Sequence, residues 1–185
     1  MNELLARTLA PKHFLTLILL SLVCCLAAGV LFVFNAQGSR ANAEVIGVYK
    51  KWTAGTYKSD GGLVCNMWSR PKASVGKYTK RGEVIAFITH FPDEGVMSQI
   101  SLELGYPIGP KQISVIVNGK KFAFETEGER AYAKESDSKA LIEAFRKGSS
   151  LLVKSRSKRG TDTKDTFSLS GFTKANNQIN KNCAN

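Results

Sequence analysis

The sequence predicts a mainly β protein: an antiparallel β-sandwich with one short helix and one C-terminal helix, preceded by an N-terminal hydrophobic segment. Three observations lead to this fold class. Short runs rich in β-branched and aromatic residues fill residues 50–126, a helical spacing of apolar residues appears twice after them, and a long uncharged run opens the chain. Many short strands with few helices are typical of packed antiparallel sheets.

The hydrophobic segment comprises residues 14–34, which carry no charge. At about 1.5 Å per residue, a transmembrane helix of this length just spans a hydrocarbon core of ~30 Å. Arg7 and Lys12 precede it, as they would in a signal peptide or on the cytoplasmic side of an anchor. The segment therefore directs the chain to or across a membrane.

A second pattern follows that segment, because small residues at positions 41 and 43 form the A-x-A motif that a signal peptidase reads. Two interpretations stay open. Cleavage between Ala43 and Glu44 would release a periplasmic domain, whereas the length of the apolar run favours an uncleaved anchor. Both divide the chain into a targeting segment, 1–43, and an exported domain, 44–185. Residues 35–48 resemble a linker.

Five runs between residues 50 and 126 predict strands, since Pro, Gly, Asp or Asn separates each from the next. They are "WTAGTYK", "LVCNMW", "EVIAFITHF", "SQISLEL" and "QISVIV". Asn118 and Gly119 suit a type I′ turn, so "VNGKKFAF" predicts a hairpin.

The period then changes in "SDSKALIEAFRKG", where Leu141, Ala144 and Phe145 share one helical face. Asp137 is the expected N-cap and Gly148 the expected end of this short helix. Two further strands are predicted in "SLLVKSRS" and "DTFSLS". In the second, apolar and polar residues alternate, which indicates one buried face.

The C-terminal helix is predicted to follow Gly171. Phe172, Ala175, Ile179 and Cys183 lie at spacings of 3, 4 and 4, so they form one stripe that faces the core. The glycine lets the last strand turn into this helix.

The chain has four cysteines, of which Cys24 and Cys25 lie inside the hydrophobic segment and act there as small apolar residues. Cys65 and Cys183 remain in the exported domain, and two cysteines in an oxidising compartment predict a disulfide. This bond would hold the C-terminal helix on the sheet. The alternative is two free, buried thiols.

The formal charge of the chain is +11, with 26 Lys and Arg against 15 Asp and Glu. Three of these basic residues and one acidic residue precede Glu44, so the exported domain carries a charge of +9. A basic domain favours an anionic partner, either anionic lipid headgroups or envelope polysaccharide. The simpler interpretation is a solvated, soluble face. Nucleic acid is not an expected partner, because no recognition motif accompanies the charge.

Two basic clusters stand out, "KYTKRG" at residues 77–82 and "KSRSKRG" at residues 154–160. Lys154, Arg156 and Lys158 alternate in the second, so on a strand they would share one face. Together with Arg159 they form a predicted strip for phosphate or carboxylate groups.

No pattern in the chain predicts a reaction or a cofactor. His90 lies in "ITHFPDEG" near two acidic residues, which allows the hypothesis of a small envelope hydrolase. No G-x-S-x-G, P-loop or dinucleotide-binding motif accompanies it, so we interpret His90 as a strand-end residue. His13, His90 and two distant cysteines cannot by themselves assemble a zinc site. The expectation is a non-enzymatic protein without a metal.

The stretch "SKRGTDTKDTFSLSGFTKA" resembles the C-terminal signature of the invasion-associated locus B family of bacterial envelope proteins. Four other pieces follow the family's order: "TKRGEVIAFITHFP", "GYPIG", "ETEGERAYA" and "ALIEAFRKGSSLLVKSRS". The resemblance covers Trp52 to Ile179. It departs at Tyr132, where relatives often carry Trp, and it lacks the second cysteine pair of some relatives.

This resemblance implies an immunoglobulin-like sandwich in the envelope of a Gram-negative bacterium, either in the periplasm or anchored in the inner membrane and facing it. The family supplies no catalytic residues to transfer, so we expect a binding or interaction module whose partner is an unidentified envelope protein or an anionic envelope component. The family's name refers to host-cell invasion, but similar proteins also occur in bacteria that invade nothing, so a contribution to host-cell interaction stays open.

Overall fold

The structure, a computed structural model, describes residues 43–183. The predicted membrane segment, 14–34, lies outside the described residues, as do Cys24 and Cys25. No helix within the described part is long and apolar enough to cross a membrane. Residues 43–183 belong to one compact unit.

Twelve strands are present among the described residues. In chain order they are β1 (Glu44–Tyr49), β2 (Trp52–Ser59), β3 (Gly62–Ser69), β4 (Ala73–Gly76), β5 (Ile85–Phe91), β6 (Val96–Glu103), β7 (Ile108–Val117), β8 (Lys120–Phe122), β9 (Phe124–Glu127), β10 (Arg130–Ala133), β11 (Ser150–Ser157) and β12 (Asp162–Ser168). Two helices follow the strand-rich half, α1 (Glu135–Lys147) and α2 (Phe172–Asn182), and a short 3-10 helix spans Pro92–Glu94.

The strands form two antiparallel sheets. The larger sheet has the order β1-β2-β3-β5-β6-β10-β9, and the smaller has the order β4-β12-β11-β7-β8. This confirms the predicted fold class of a mainly β sandwich with a short helix and a C-terminal helix. The hairpin prediction is also confirmed, because Asn118 and Gly119 have positive φ angles of 50° and 79° between β7 and β8.

The core lies between the two sheets. Met67, Ile88 and Ile100 come from the larger sheet and Val153 and Phe167 from the smaller, and all belong to one cluster of fully buried side chains. Both helices also add residues to that cluster. One contiguous core therefore holds sheets and helices together.

An aromatic group joins the helices to the sheets. The Phe172 ring on α2 meets the edges of Trp52 and Phe145, each with ring centroids 5.2 Å apart. The Trp52 indole N–H donates to the carbonyl of Ser168 at 3.0 Å, which ties β2 to the end of β12. Such a buried indole needs a partner for its polar N–H.

Helix α2 carries the predicted stripe: Phe172, Ala175, Ile179 and Cys183 are all buried. Cys183 forms a disulfide with Cys65 on β3. The predicted bond is therefore present, and it fixes the last helix to the larger sheet.

One local prediction for α1 was wrong and one is confirmed. Its N-cap is Lys134 and not Asp137, which lies in the first turn, where its charge still suits the helix dipole. Gly148 ends the helix as predicted, in an extended conformation. A Cβ at this position would lie 2.8 Å from Leu169 Cδ1, so the glycine permits close packing.

Other differences concern strands that are short or lie at a sheet edge. The stretch interpreted as a linker, 35–48, includes most of β1, which pairs with β2 across a bulge between Val45 and Gly47. Strands β4, β9 and β10 were not predicted. Each has only four residues, so the alternation in the sequence is too short to detect.

Candidate functional site

The hairpin of β11 and β12 positions the four residues of the predicted basic strip, and it divides them into two groups. Lys154 and Arg156 lie on β11 and point outward from the smaller sheet. The strand ends at Ser157, so Lys158 and Arg159 lie in the turn that leads to β12. The simple alternation expected from the sequence thus stops one residue before Lys158.

On the outer sheet face, Lys154 stands opposite Lys164 of β12 and Ser114 of β7. Arg156 is engaged within the hairpin: its Nε donates to the Gly160 carbonyl at 3.0 Å and lies 3.5 Å from Asp162 Oδ1. This face borders a shallow groove of about 1080 Å³. Lysines remain available there, whereas Arg156 mainly shapes the turn.

At the end of the sandwich, the hairpin turn meets the loop between β4 and β5. Lys77 and Lys80 from the loop and Lys158 and Arg159 from the turn surround a cavity of about 630 Å³. We call this the basic cleft. Glu129 is its single acidic rim residue among the described lining, so the rim is strongly positive. The two basic clusters of the sequence are therefore brought together.

A buried ion pair lies beneath the basic cleft, and of its two members Arg81 lines the cleft. Arg81 donates through Nη1 and Nη2 to both carboxylate oxygens of Asp165, at 2.9 and 2.7 Å, and through Nε to the Leu104 carbonyl at 2.7 Å. Both charged side chains are almost fully buried. Burial alone would lower the pKa of Arg81, but the hydrogen bond and attraction from Asp165 outweigh it and raise the pKa above its ordinary value. Arg81 therefore stays charged.

Two tyrosines flank this guanidinium, with ring centroids 5.4 Å (Tyr78) and 4.8 Å (Tyr106) from its central carbon. The Tyr106 hydroxyl also hydrogen-bonds the inward-facing hydroxyls of Ser155 and Thr163. This network fixes the floor of the basic cleft to β11 and β12. Tyr78 is 40% exposed and forms part of the wall.

His90, the residue of the hydrolase hypothesis, is fully buried on β5. Its Nδ1 accepts the backbone N–H of Ser98 at 2.8 Å, so the proton is on Nε2, which donates to Asn180 Oδ1 at 2.7 Å. Burial lowers the pKa of His90 below 6.5, and the hydrogen bonds only partly oppose this. The ring is neutral and both nitrogens are occupied, so it lacks the open position that a general base needs.

Neighbouring acidic residues do not support His90 either. Asp93 accepts the backbone N–H of Leu63 at 2.9 Å. Within residues 43–183, no three His, Cys, Asp or Glu side chains lie close enough to hold a metal ion. The remaining predicted site residues, Ala43 and Glu44, are exposed, and β1 begins at Glu44.

Sequence reasoning missed the buried pair beneath the basic cleft. Arg81 was visible only as one more charge in "KYTKRG". The available signal was Asp165, which falls in phase with the buried Thr163 and Phe167 of β12. A charged residue in the buried period of a strand predicts a buried partner of opposite charge.

The comparisons with known proteins give one result. The chain matches the family described as "Invasion associated locus B (IalB) protein" over residues 52–180, which agrees with the resemblance found in the sequence. No curated protein and no solved structure matches the chain. The match covers β2 to most of α2, and hence both sheets and the basic cleft. The chain belongs to the invasion-associated locus B family.

Proposed function

We propose that the protein is an exported, non-enzymatic binding module of the cell envelope whose ligand is an anionic envelope component. The shared chemistry of the ligand is a phosphate or carboxylate group, carried by a lipid headgroup or by an envelope polysaccharide. One observation carries the proposal: two basic segments more than 70 residues apart in the chain meet at one cleft.

The geometry of the cleft suits a surface of repeated negative charge. Its four cations stand on the rim and are exposed, so they can approach phosphate or carboxylate without a large desolvation cost. A basic side chain near an anionic membrane contributes about 1 kcal/mol, and the attraction falls off within a Debye length of ~8 Å at physiological salt. Four such residues give an affinity that depends strongly on salt.

The exported location rests on three supports. The disulfide is typical of proteins from oxidising compartments. The sequence predicts a membrane-directed segment before the domain. Strand β1 begins at Glu44, so cleavage after Ala43 would leave the fold complete. The mass of the protein isolated from an envelope preparation tests this, because a chain starting at Glu44 indicates a periplasmic protein and a full-length chain indicates an inner-membrane anchor.

Retention on anionic surfaces tests the binding proposal. The chain starting at Glu44 is applied to vesicles containing anionic phospholipid and, separately, to an immobilised carboxylated polysaccharide. We expect retention on at least one support that falls steeply between 50 and 300 mM salt, and the support that retains the protein identifies the source of the ligand. Absent or salt-insensitive retention on both supports contradicts the proposal.

A matched pair of variants locates the binding. Lys158→Gln with Arg159→Gln removes two charges from the basic cleft, and we expect retention to weaken by roughly tenfold or more. Lys120→Gln with Lys121→Gln removes the same charge from β8. Those lysines lie at the opposite end of the smaller sheet. Strand β8 pairs with β7 near Val117, whereas the hairpin turn of the basic cleft lies near Ile108, at the other end of β7. Equal retention of both variants would mean that the basic cleft is not the site.

A second candidate function is the docking of an envelope protein at β1. This strand is an edge of the larger sheet, and its Val45 and Val48 are 58% and 69% exposed. Exposed edge strands with apolar side chains can accept a further strand from another chain. If so, Val48→Lys abolishes co-purification of a specific envelope protein, and Val75→Lys on the edge strand β4 leaves it intact. A role in host-cell interaction would follow only if a host molecule binds at one of these two surfaces.

A further inference from the structure

A second concave surface lies on the outer face of the smaller sheet, next to the basic cleft. It is the shallow groove of about 1080 Å³ that β4, β7, β11 and β12 border. Val75, Lys164, Lys154 and Ser114 form one row across it, because each is paired with the next in the strand register. We call this surface the lysine groove, after the two lysines at its centre.

These two lysines place the same charge side by side. Lys154 and Lys164 stand directly opposite each other on neighbouring strands, and both are exposed. Like charges in this arrangement destabilise a sheet. No ion pair within residues 43–183 includes either lysine. The single acidic residue of the described lining, Asp162, lies beside Arg156, with Oδ1 3.5 Å from Nε. The fold gains nothing from this uncompensated charge, which favours a binding role.

The lysine groove continues into the basic cleft past the hairpin turn of β11 and β12. Lys77, Thr161 and Thr163 line both cavities. A smaller cavity of about 440 Å³ at the same turn includes Arg156 from the groove and Lys158 from the cleft. One concave, positively charged surface therefore runs from the sheet face to the end of the sandwich.

The shape and composition of this surface favour one kind of anionic partner. A bilayer is flat on the scale of a domain, so it can lie against the sheet face or against the end but cannot follow the surface from one to the other. Protein partners usually dock on aromatic and apolar anchors, whereas no described lining residue of the groove is aromatic and the lysine pair occupies its centre. A flexible chain of regular negative charge fits both observations.

The side chains around the lysine pair suit sugar rings. Ser114 and Gln112 line the groove and offer a hydroxyl and an amide to sugar hydroxyls. Val75, which is 63% exposed, offers an apolar contact to the C–H face of a ring. The groove thus combines cations, hydrogen-bonding groups and an apolar contact on one row of the sheet.

We propose that the protein binds an acidic polysaccharide, with one segment of the chain in the lysine groove and the next in the basic cleft. The carboxylates of successive sugars contact Lys154 and Lys164 in the groove and Lys158 and Arg159 at the cleft. This choice of ligand rests on the proposed function, since a protein without affinity for anionic envelope components could use neither group of cations. Binding depends on chain length, because the second contact of a long chain is intramolecular.

Calorimetric titration of the full chain in a non-ionic detergent at 50 mM salt tests the proposal. The probes are galacturonate oligomers of two and of ten sugars, with a ten-residue polyglutamate as an acidic chain without sugar rings. We expect the decamer to bind at least a hundredfold more tightly than the dimer, whereas its overlapping disaccharide units alone would account for only about ninefold. We also expect it to bind at least tenfold more tightly than polyglutamate. A gain of ninefold or less, or equal affinity for polyglutamate, would overturn the proposal.

A matched pair of variants locates the second segment of the ligand. Lys154→Gln with Lys164→Gln removes the lysine pair, and we expect decamer binding to weaken at least tenfold and its salt dependence to become shallower. Lys139→Gln with Lys174→Gln removes the same charge from exposed positions of α1 and α2 that line neither cavity, and should leave decamer binding unchanged. Equal affinities of the two variants for the decamer would exclude the lysine groove from the site.

Lys158→Gln with Arg159→Gln separates this proposal from the proposed function. If it weakens decamer binding and removal of the lysine pair does not, the ligand stays within the basic cleft, and only the longer site is refuted. Retention on anionic vesicles without any binding of the decamer would also refute the polysaccharide and leave an anionic ligand in place. Absence of binding to the decamer, to polyglutamate and to vesicles alike would contradict both proposals.

Discussion

His90 and the pair of Arg81 and Asp165 represent two ways of burying an ionisable side chain. His90 is buried without a charge, because its neutral ring accepts one hydrogen bond through Nδ1 and donates one through Nε2. Arg81 keeps its charge, because Asp165 binds it through two hydrogen bonds. The first arrangement makes stability depend on pH, and the second makes it depend on both partners being present.

The pH dependence follows from the lowered pKa of His90. The unfolded chain takes up the proton at its ordinary pKa of about 6.5, before the folded chain does. The contribution of His90 to the free energy of unfolding is therefore complete above about pH 6.5 and decreases as the pH falls toward the folded pKa, by at most ~1.4 kcal/mol per pH unit. Denaturant unfolding between pH 7.5 and 5.5 measures it.

His90→Gln removes the titrating group and flattens the stability profile in that range. His13→Gln is the matched control, because it removes the chain's other histidine. A profile of His90→Gln with the same slope as the unchanged protein would contradict the assignment of the neutral ring.

The buried ion pair predicts a large loss on breaking one side. Arg81→Met leaves the Asp165 carboxylate uncompensated in the core, and we expect a loss of about 3–5 kcal/mol in the free energy of unfolding. Arg70→Met breaks the exposed pair with Glu83, whose side chains are 60% and 64% exposed, and should cost less than about 1 kcal/mol. Similar losses in urea unfolding for both variants would show that Arg81 is not held as described.

Among the elements, the sequence predicts those with a clear period and misses those whose order is set by neighbours. The 3, 4, 4 spacing of α2 and the Asn-Gly turn after β7 are local signals, and both are confirmed. Strand β4 has four exposed residues and forms because it pairs with β12. No local sequence pattern predicts this pairing.

The same distinction between local signals and tertiary packing applies to the candidate site. The charges of the basic cleft are visible in "KYTKRG" and "KSRSKRG", but their meeting depends on how the strands cross between the sheets. Asn176 and Asn180 lie one turn apart beside the apolar stripe of α2, which is a local signal. That Asn180 accepts a hydrogen bond from His90 depends on tertiary packing alone.

The start of α2 requires the glycine at position 171, with a φ angle of 95°. A Cβ there would overlap the Tyr49 carbonyl oxygen, so Gly171→Ala must displace either β1 or the helix. Gly95→Ala is the control: its φ angle is 71°, but no heavy atom lies within 4 Å of an added Cβ. Gly95→Ala should cost about 1–2 kcal/mol from the left-handed conformation alone, and Gly171→Ala clearly more. Equal thermal shifts would contradict this packing.

At the scale of the whole molecule, the basic cleft and helix α2 lie at opposite ends of β6. Leu104, just past the end of β6, accepts from Arg81 beneath the basic cleft, whereas Ser98, near its start, donates to His90, which in turn donates to Asn180 of α2. The disulfide fixes that helix to β3 beside His90. The fold thus separates a sheet-built surface from the covalent attachment of its last helix.

Removing the disulfide should therefore lower stability without removing the basic cleft. Cys65 and Cys183 are 118 residues apart, and in the chain-entropy account a bond closing such a loop contributes roughly 4–5 kcal/mol. We expect Cys65→Ala with Cys183→Ala to lower the free energy of unfolding by about that amount. In the variant that remains folded, salt-dependent retention through the basic cleft should persist. Cys24→Ala with Cys25→Ala, made in the full-length chain, is the control and should change neither the free energy of unfolding nor the retention. Loss of retention in a folded disulfide variant would show that α2 supports the whole sandwich, including the basic cleft.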